Sequence, residues 1–185
     1  MINIEQEILI IEKAKTNPQA FEVLYNEYFE AIFRFIYQRT DTIDEAKDIT
    51  QQVFVKAMSK IHNYTHKGYR FSSWLYRIAY NEFVDACRKQ KVCQTVNIDK
   101  KAIRELYSDE NSESNEELIE ILYKVLDDLP QQELILIEMR FFEKRSFKEI
   151  ADILSITESN AKVKTYRLLD KIREEIQKKG VCYES

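Results

Sequence analysis

Apolar residues recur at helical spacing along most of the chain and predict helices. In the first segment they fall at Ile4, Ile8, Ile11 and Leu9, the i, i+4, i+7 pattern of a short helix. This pattern ends near Lys15. We therefore predict a short first helix over residues 4–15.

A second helix is predicted from Pro18, a favourable first helical residue, to about Arg39, with Asn17 as its cap. It holds more aromatic residues than one buried stripe needs, which indicates a central place in a helical bundle. These residues are Phe21, Tyr25, Tyr28, Phe29, Phe33, Phe35 and Tyr37.

A third helix is predicted to begin after Thr42, which forms a capping box with Glu45, and to end near Ile61. Its apolar side consists of Ala46, Ile49, Val53, Phe54, Ala57 and Ile61. The opposite, polar side consists of Asp44, Lys47, Asp48, Gln51, Gln52 and Lys56. Such a side is typical of a solvated helix surface, and glutamines with mixed charge also suit a polar protein interface.

A fourth helix is predicted over residues 71–91, after an aromatic and basic loop at residues 64–70. One side of this helix is apolar and includes Phe71, Trp74, Leu75, Ile78, Ala79 and Ala86. Another side carries Arg77, Asn81 and Arg88. The pattern alone fits both an ordinary solvated face and a binding surface.

Residues 94–117 are polar and acidic and have no helical period, apart from a possible helical turn over residues 101–106. We interpret them as a flexible acidic linker. The predicted fold class is all-α, with two small helical domains: an N-terminal bundle over residues 1–93 and a second domain over residues 118–185.

The second domain contains a helix-turn-helix pattern. Apolar helical segments cover residues 118–126 and 130–142, and a capping box, Ser146 with Glu149, begins a helix that ends at Leu154. After a short turn, Thr157 caps a longer helix over residues 158–178. A plain helical hairpin has the same pattern, but the first half of the last helix offers groups suited to DNA phosphates and base edges. They are Ser159, Asn160, Lys162, Lys164, Thr165, Tyr166 and Arg167.

Composition narrows the class of protein. The chain has only two glycines and two prolines, at predicted helix ends or loops, and 44% apolar residues, which agrees with a helical protein that has true cores. It has no apolar run of the roughly 18 residues that span a membrane, and its N-terminus is acidic where a signal peptide is basic. We expect no membrane insertion and a cytoplasmic location.

Cysteine and histidine content argues against metal and redox chemistry. Cys87, Cys93 and Cys182 lack the spacing of a zinc site or a disulfide framework, and only His62 and His66 accompany them. We expect reduced thiols. We also expect no metal, no cofactor and no enzyme, because the sequence contains no matched nucleophile and base and no glycine-rich phosphate loop.

Charge is distributed unevenly. The chain has a formal net charge of −4, yet residues 56–93 carry eight basic and two acidic side chains. Residues 94–128 carry four basic and ten acidic side chains. The concentration of positive charge around the fourth helix favours nucleic-acid binding there, despite the acidic total.

Two runs of residues resemble the extracytoplasmic-function (ECF) sigma factors of the bacterial sigma-70 family. The first is a D-x-x-x-D-I-x-Q-x-x-F run beginning at Asp44, and the second, more specific because more of its positions match, is F-x-x-W-L-Y-R-I-A-x-N from Phe71 to Asn81. In the second domain, the segments starting at Leu129, Ser146 and Ala161 resemble the part that reads the minus-thirty-five promoter element.

The resemblance implies a sigma factor that binds core RNA polymerase and directs promoter-specific initiation. The partners it implies are the largest-subunit clamp helices and flap region of core polymerase, promoter DNA and an anti-sigma factor. The implied polymerase-binding residues are Asp44, Asp48, Gln51, Gln52 and Phe54. The implied minus-ten residues, including those that capture an unstacked base, are Lys60, Tyr64, Tyr69, Arg70, Arg77, Ile78, Asn81, Arg88, Lys89 and Lys91.

Two alternative functions remain open from the residues themselves. A stand-alone helix-turn-helix regulator would bind DNA without polymerase, and a helical interaction protein would not bind DNA at all.

Overall fold

The computed structural model describes residues 2–90 and 113–178, and regular structure in these ranges is helical. The described residues divide into two compact units, the first built mainly from residues 2–90 and the second mainly from residues 113–178. Lys91, Cys93, Cys182, most of the predicted linker and its possible helical turn lie outside the described residues. None of the described helices has the length and hydropathy needed to cross a bilayer.

The N-terminal unit is a bundle of four α-helices: α1 (Ile4–Thr16), α2 (Phe21–Tyr37), α3 (Ile43–Lys60) and α4 (Phe71–Gln90). The 3₁₀ turns Pro18–Ala20 and Ile61–Asn63 precede α2 and follow α3. Helix α2 packs against α1, α3 and α4, as its aromatic content predicted.

Side-chain caps fix several helix starts. Thr42 Oγ1 accepts a hydrogen bond of 3.2 Å from the Glu45 amide, and the Glu45 carboxylate accepts one from the Asp41 amide. Asn3 and Gln6 form a reciprocal capping box at α1, which was not predicted. Each cap satisfies amides that have no partner within the helix.

The core of this unit comes from the inner faces of α2, α3 and α4, and each large apolar side chain that it buries contributes about 1.5–3 kcal/mol. The predicted apolar side of α3 is buried throughout. In α4, Phe71, Leu75 and Ala79 are buried as predicted, whereas Trp74 and Ile78 are partly exposed.

The aromatic residues of α2 divide between two faces. Phe21, Tyr28 and Phe35 are buried. The other four follow one another at i, i+4 spacing along a second face, with ring centroids 5.1–6.0 Å apart. We call Tyr25, Phe29, Phe33 and Tyr37 the aromatic ladder. Two of its three ring pairs are stacked, with interplanar angles of 8° and 11°.

Helix α1 buries a side that differs in part from the one predicted. Its buried residues are Glu7, Ile11 and Ala14, whereas Ile4 is exposed and Ile8 is partly exposed. A carboxylate therefore occupies a position in the buried stripe. Burial of a charged group is tolerated when hydrogen bonds satisfy it, and sequence periodicity does not reveal those bonds.

The C-terminal unit contains α5 (Glu113–Asp127), α6 (Gln131–Ile137), a π-helical turn (Glu138–Phe142), α7 (Phe147–Leu154) and α8 (Glu158–Lys178). Helix α5 begins five residues before the predicted domain start at Leu118. Ser146 and Glu149 form the predicted capping box: the Glu149 amide donates to Ser146 Oγ, and the Ser146 amide donates to the Glu149 carboxylate.

Cys87 in α4 is disulfide-bonded, which corrects the expectation of reduced thiols throughout. Both other cysteines of the chain lie outside the described residues.

Candidate functional site

The outer side of α3 carries the polar residues predicted to bind polymerase. Asp44, Asp48, Gln51 and Gln52 are exposed, in agreement with their place on the polar side of the predicted helix. Phe54 is buried and packs edge-on against Tyr25 of α2, with ring centroids 4.8 Å apart. Phe54 therefore supports this surface from below.

An apolar groove of about 550 Å³ runs beside these polar residues, between α2 and α3. Its lining includes Tyr25 and Phe29 of the aromatic ladder. From α3 it includes Gln51, Val55 and Met58, of which Val55 and Met58 are 55% and 45% exposed. We call the groove, together with Asp44, Asp48, Gln51 and Gln52, the docking surface. An apolar centre with a polar rim is the usual anatomy of a protein–protein interface.

Lys56, on the predicted polar side of α3, has a structural partner instead. Its ammonium group forms an ion pair with Glu82 of α4, whose side chain is 9% exposed. This contact joins α3 to α4, so Lys56 is excluded from the docking surface.

The loop before α4 rests on an aromatic cluster. Tyr64 is only 8% exposed, and its ring centroid lies 5.1 Å from those of both Phe71 and Trp74. Burial raises the pKa of the Tyr64 hydroxyl, with a smaller contribution from the charge of Glu7. Tyr64 therefore forms part of the base of the loop.

The rest of the loop is more open. Gly68 has a φ of +86°, a conformation that favours glycine. The side chains of Tyr69 and Arg70 are partly exposed. Aromatic and basic groups are thus accessible immediately before α4.

The predicted DNA side of α4 lies along its solvent-facing surface. Ile78 and Arg77 are partly exposed, and Asn81 is exposed one turn after Ile78. Arg88 and Lys89 are exposed near the end of the helix, and Arg88 lies 3.6 Å from Asp85. Lys60 is exposed at the end of α3. Tyr64 contacts Trp74, which lies one turn before Ile78. The minus-ten candidates Tyr64, Ile78 and Asn81 are therefore spread along about two turns of α4.

Glu7 was missed by the sequence analysis. Its side chain is fully buried, and one carboxylate oxygen accepts a hydrogen bond of 2.9 Å from the Phe71 amide at the start of α4. The other oxygen accepts a hydrogen bond from the Tyr28 hydroxyl. The sequence does place Glu7 on the same side of α1 as Ile4 and Ile11. A pattern of apolar residues alone does not predict that an acidic residue on that side is buried.

In the C-terminal unit, α7, the turn and α8 form the predicted helix-turn-helix. Thr157 Oγ1 accepts a 3.2 Å hydrogen bond from the Asn160 amide, which confirms the predicted cap of α8. The turn residue Ser155 has a φ of 55°. Ser155 thus adopts the left-handed conformation, which glycine adopts more easily, although this turn contains no glycine.

The N-terminal half of α8 exposes six of its seven predicted DNA-binding residues: Ser159, Asn160, Lys162, Lys164, Tyr166 and Arg167. Thr165 is the exception, because it is 1% exposed and its hydroxyl donates to the Ala161 carbonyl oxygen. We therefore remove Thr165 from the predicted DNA surface. Tyr166 is 59% exposed. At the start of α8, a hydrogen bond from Lys162 lowers the pKa of the Glu158 carboxyl.

The described residues contain no group of three or more histidine, cysteine, aspartate or glutamate side chains placed to hold a metal ion. The described residues present three exposed surfaces: an apolar groove with a polar rim, an aromatic and basic loop, and a helix with basic and hydroxyl groups.

The chain matches two family models: Sigma-70 region 2 over residues 24–92 and Sigma-70, region 4 over residues 125–174. It is 26% identical to the ECF RNA polymerase sigma factor SigM of Bacillus subtilis (strain 168), over 81% of this chain and 91% of SigM. It is 23% identical to the ECF RNA polymerase sigma-E factor of Escherichia coli (strain K12), over 94% of this chain and 95% of that protein.

The fold has a counterpart among solved structures. The structure of CnrH in complex with the cytosolic domain of CnrY matches with a TM-score of 0.61 at 16% identity, covering 92% of this chain and 97% of the matched one. This likeness concerns the fold. The family assignment comes from the two region matches and from the ECF relatives, which are non-enzymatic factors. The chain therefore belongs to the sigma-70 family, as an ECF sigma factor with regions 2 and 4 that directs promoter-specific transcription initiation.

Proposed function

We propose that this sigma factor joins core RNA polymerase through its docking surface, opens the minus-ten element with the loop and α4, and reads the minus-thirty-five element with α8. In this assignment, region 2 occupies residues 1–93, residues 94–117 connect the regions and region 4 occupies residues 118–185. The observation that carries the proposal is the docking surface, because a stand-alone DNA-binding protein has no need of it.

The docking surface supports polymerase binding by its chemistry. Tyr25, Phe29, Val55 and Met58 offer apolar area beside the exposed acids and glutamines of α3. Burying apolar area provides affinity, and the polar rim fixes orientation. The partner is the pair of clamp helices of the largest subunit, with region 4 on the flap.

Minus-ten opening is supported by the placement of groups around the loop. Tyr69 is accessible for stacking on an unpaired base, which contributes about 1–3 kcal/mol per base. Asn81 can hydrogen-bond a base edge, and Arg70, Arg77, Arg88, Lys89 and Lys91 can neutralise phosphates. Tyr64 contributes as the floor of the loop. No hydrolysis is needed, because capture of open bases shifts an existing equilibrium.

Minus-thirty-five reading is supported by α8. Its start offers a capped helix terminus, exposed hydroxyl and amide groups, and basic side chains at Lys162, Lys164 and Arg167. Helix N-termini favour phosphate oxygens, and side chains of this kind pair with base edges in the major groove.

We also propose that an anti-sigma factor controls this protein in the cytoplasm by covering the docking surface. CnrH, which shares its fold, was solved in complex with the cytosolic domain of CnrY.

Run-off transcription with core polymerase tests the proposal. We expect defined start sites only when core polymerase and this protein are both present, and weak promoter binding by the isolated chain. Stable, sequence-specific binding by the isolated chain would instead identify a stand-alone regulator. If core polymerase gives the same transcripts with and without this protein, the result would favour a helical interaction protein that does not act on DNA.

A further inference from the structure

Glu7 connects three helices at the base of the loop. It lies on α1, yet its two carboxylate oxygens accept hydrogen bonds from the Tyr28 hydroxyl on α2 and the Phe71 amide at the start of α4. The Phe71 amide is one of the α4 donors that lack a helical partner. A carboxylate there also interacts favourably with the helix dipole. Glu7 thus acts as a cap supplied from a helix 64 residues earlier.

The loop itself is coupled to this carboxylate. Arg70, the last loop residue, carries a positive charge that acts on the Tyr28 hydroxyl and lowers its pKa, though less than burial and Glu7 raise it. Burial and the Glu7 hydrogen bond both raise the pKa of Tyr28, so its hydroxyl keeps the proton that it donates. Tyr64, the first loop residue, packs on the ring of Phe71. Tyr64 therefore packs on one residue that Glu7 bonds, and the charge of Arg70 acts on the other.

We propose that Glu7 is a positioning residue for promoter opening, which fixes the loop over residues 64–70 and the start of α4 in the arrangement that captures an unpaired base. The inference rests on the proposed minus-ten function of that loop. Glu7 itself is buried and does not contact DNA, and none of Glu7, Tyr28 and Phe71 lines the groove of the docking surface.

Glu7→Gln tests the proposal because it keeps the size of the side chain but leaves one good acceptor for two donors. We expect open-complex formation on a duplex promoter, followed by 2-aminopurine fluorescence in the minus-ten element, to fall about tenfold, since a buried donor loses its partner. On a promoter with an unpaired minus-ten region the loss should shrink to about twofold, because the cost of unpairing is removed. Binding to core polymerase should be unchanged.

Tyr28→Phe supplies the rescue. Alone, it leaves the Glu7 bond to the Phe71 amide in place but removes the donor to the other carboxylate oxygen, and we expect opening to fall less than for Glu7→Gln. Combined with Glu7→Gln, it frees the introduced amide oxygen for the Phe71 amide, and we expect most of the lost opening to return. Glu5→Gln, on the exposed side of α1, is the matched control and should leave opening unchanged.

The outcomes separate this inference from the function on which it rests. Glu7→Gln could lower open-complex formation equally on the duplex and unpaired promoters and also lower the melting temperature of the protein. That result would make Glu7 merely structural and overturn the inference. Wild-type opening by Glu7→Gln would overturn it as well. Failure of the wild-type protein to open any promoter with core polymerase would overturn the proposed function itself.

Discussion

Ser155 has left-handed backbone geometry at the centre of the helix-turn-helix, with a φ of 55°. This conformation costs a residue with a side chain about 1–2 kcal/mol. Glycine avoids that cost, but it loses more conformational entropy on folding, which lowers stability by about 0.5–1 kcal/mol. We expect Ser155→Gly to raise the free energy of unfolding of the C-terminal unit by about 0.5 kcal/mol.

Urea unfolding followed by circular dichroism measures this change. Ser159→Gly is the matched control, since Ser159 lies within α8, where the same substitution should lower stability by about 0.5–1 kcal/mol. A loss of stability in both variants would contradict the strain assigned to Ser155.

Asn81 and Lys89 are both exposed on α4 but are expected to do different work. Asn81→Ala should lower discrimination at one minus-ten position, by about 1–3 kcal/mol, because an amide can pair with a particular base edge. Lys89→Ala should weaken binding to all promoter variants alike and reduce its salt dependence, because a phosphate contact carries no sequence information. Open-complex formation on a set of single-base promoter variants measures both.

If Asn81→Ala instead lowers opening equally on every promoter variant, Asn81 is a structural or phosphate-contacting residue, and the proposed base contact is wrong.

At the scale of the helices, the groove between α2 and α3 makes a prediction about polymerase binding. Met58 and Val23 are exposed to similar extents, 45% and 46%, but only Met58 lines the groove. We expect Met58→Asp to weaken binding to core polymerase at least about tenfold, since an unpaired charge would be buried in the complex. Fluorescence anisotropy of the labelled protein with core polymerase measures this affinity.

Val23→Asp is the matched control and should bind core polymerase like wild type, because Val23 lies outside the groove lining on α2. Equal weakening by both substitutions would indicate a wider interface than the docking surface defined above.

Helix ends were predictable where they rest on local chemistry. Ser146 with Glu149, and Thr157 before α8, needed only neighbouring residues to be recognised. The buried sides of α1 and α8 were less predictable. Glu7 is buried because α2 and α4 provide its hydrogen-bond donors, and Thr165 is buried because its hydroxyl bonds the preceding turn. The periodic pattern of apolar residues shows which side chains are polar, but it does not show which of them have hydrogen-bond partners in the core.

The candidate site follows the same division. The exposed residues of α3, α4 and α8 were predictable from side-chain type and helical spacing. The groove was not, because it depends on how α2 packs against α3. The five-residue π-helical turn after α6 also had no sequence signal, since apolar spacing continued through it.

At the scale of the whole molecule, the two units each contain a hydrophobic core within the described residues. We therefore expect a fragment of residues 1–93 to fold alone and to bind core polymerase, because α1–α4 supply both its core and the docking surface. It should lose dependence on the minus-thirty-five element, which the proposal assigns to α8. Circular dichroism and competition with the full chain for core polymerase test this.

An unfolded fragment would indicate that region 2 requires the rest of the chain. A folded fragment that does not compete would place the polymerase contact elsewhere.

Trp74 is the only tryptophan of the chain, and it sits in partial contact with solvent against Tyr64 and Phe71. Its indole therefore gives the protein an intrinsic optical probe at the base of the loop. Emission excited at the tryptophan band reports the polarity around that ring, and the nearby Tyr64 can transfer excitation to it. Titrating the isolated protein with a single-stranded minus-ten oligonucleotide would then follow the loop without any label.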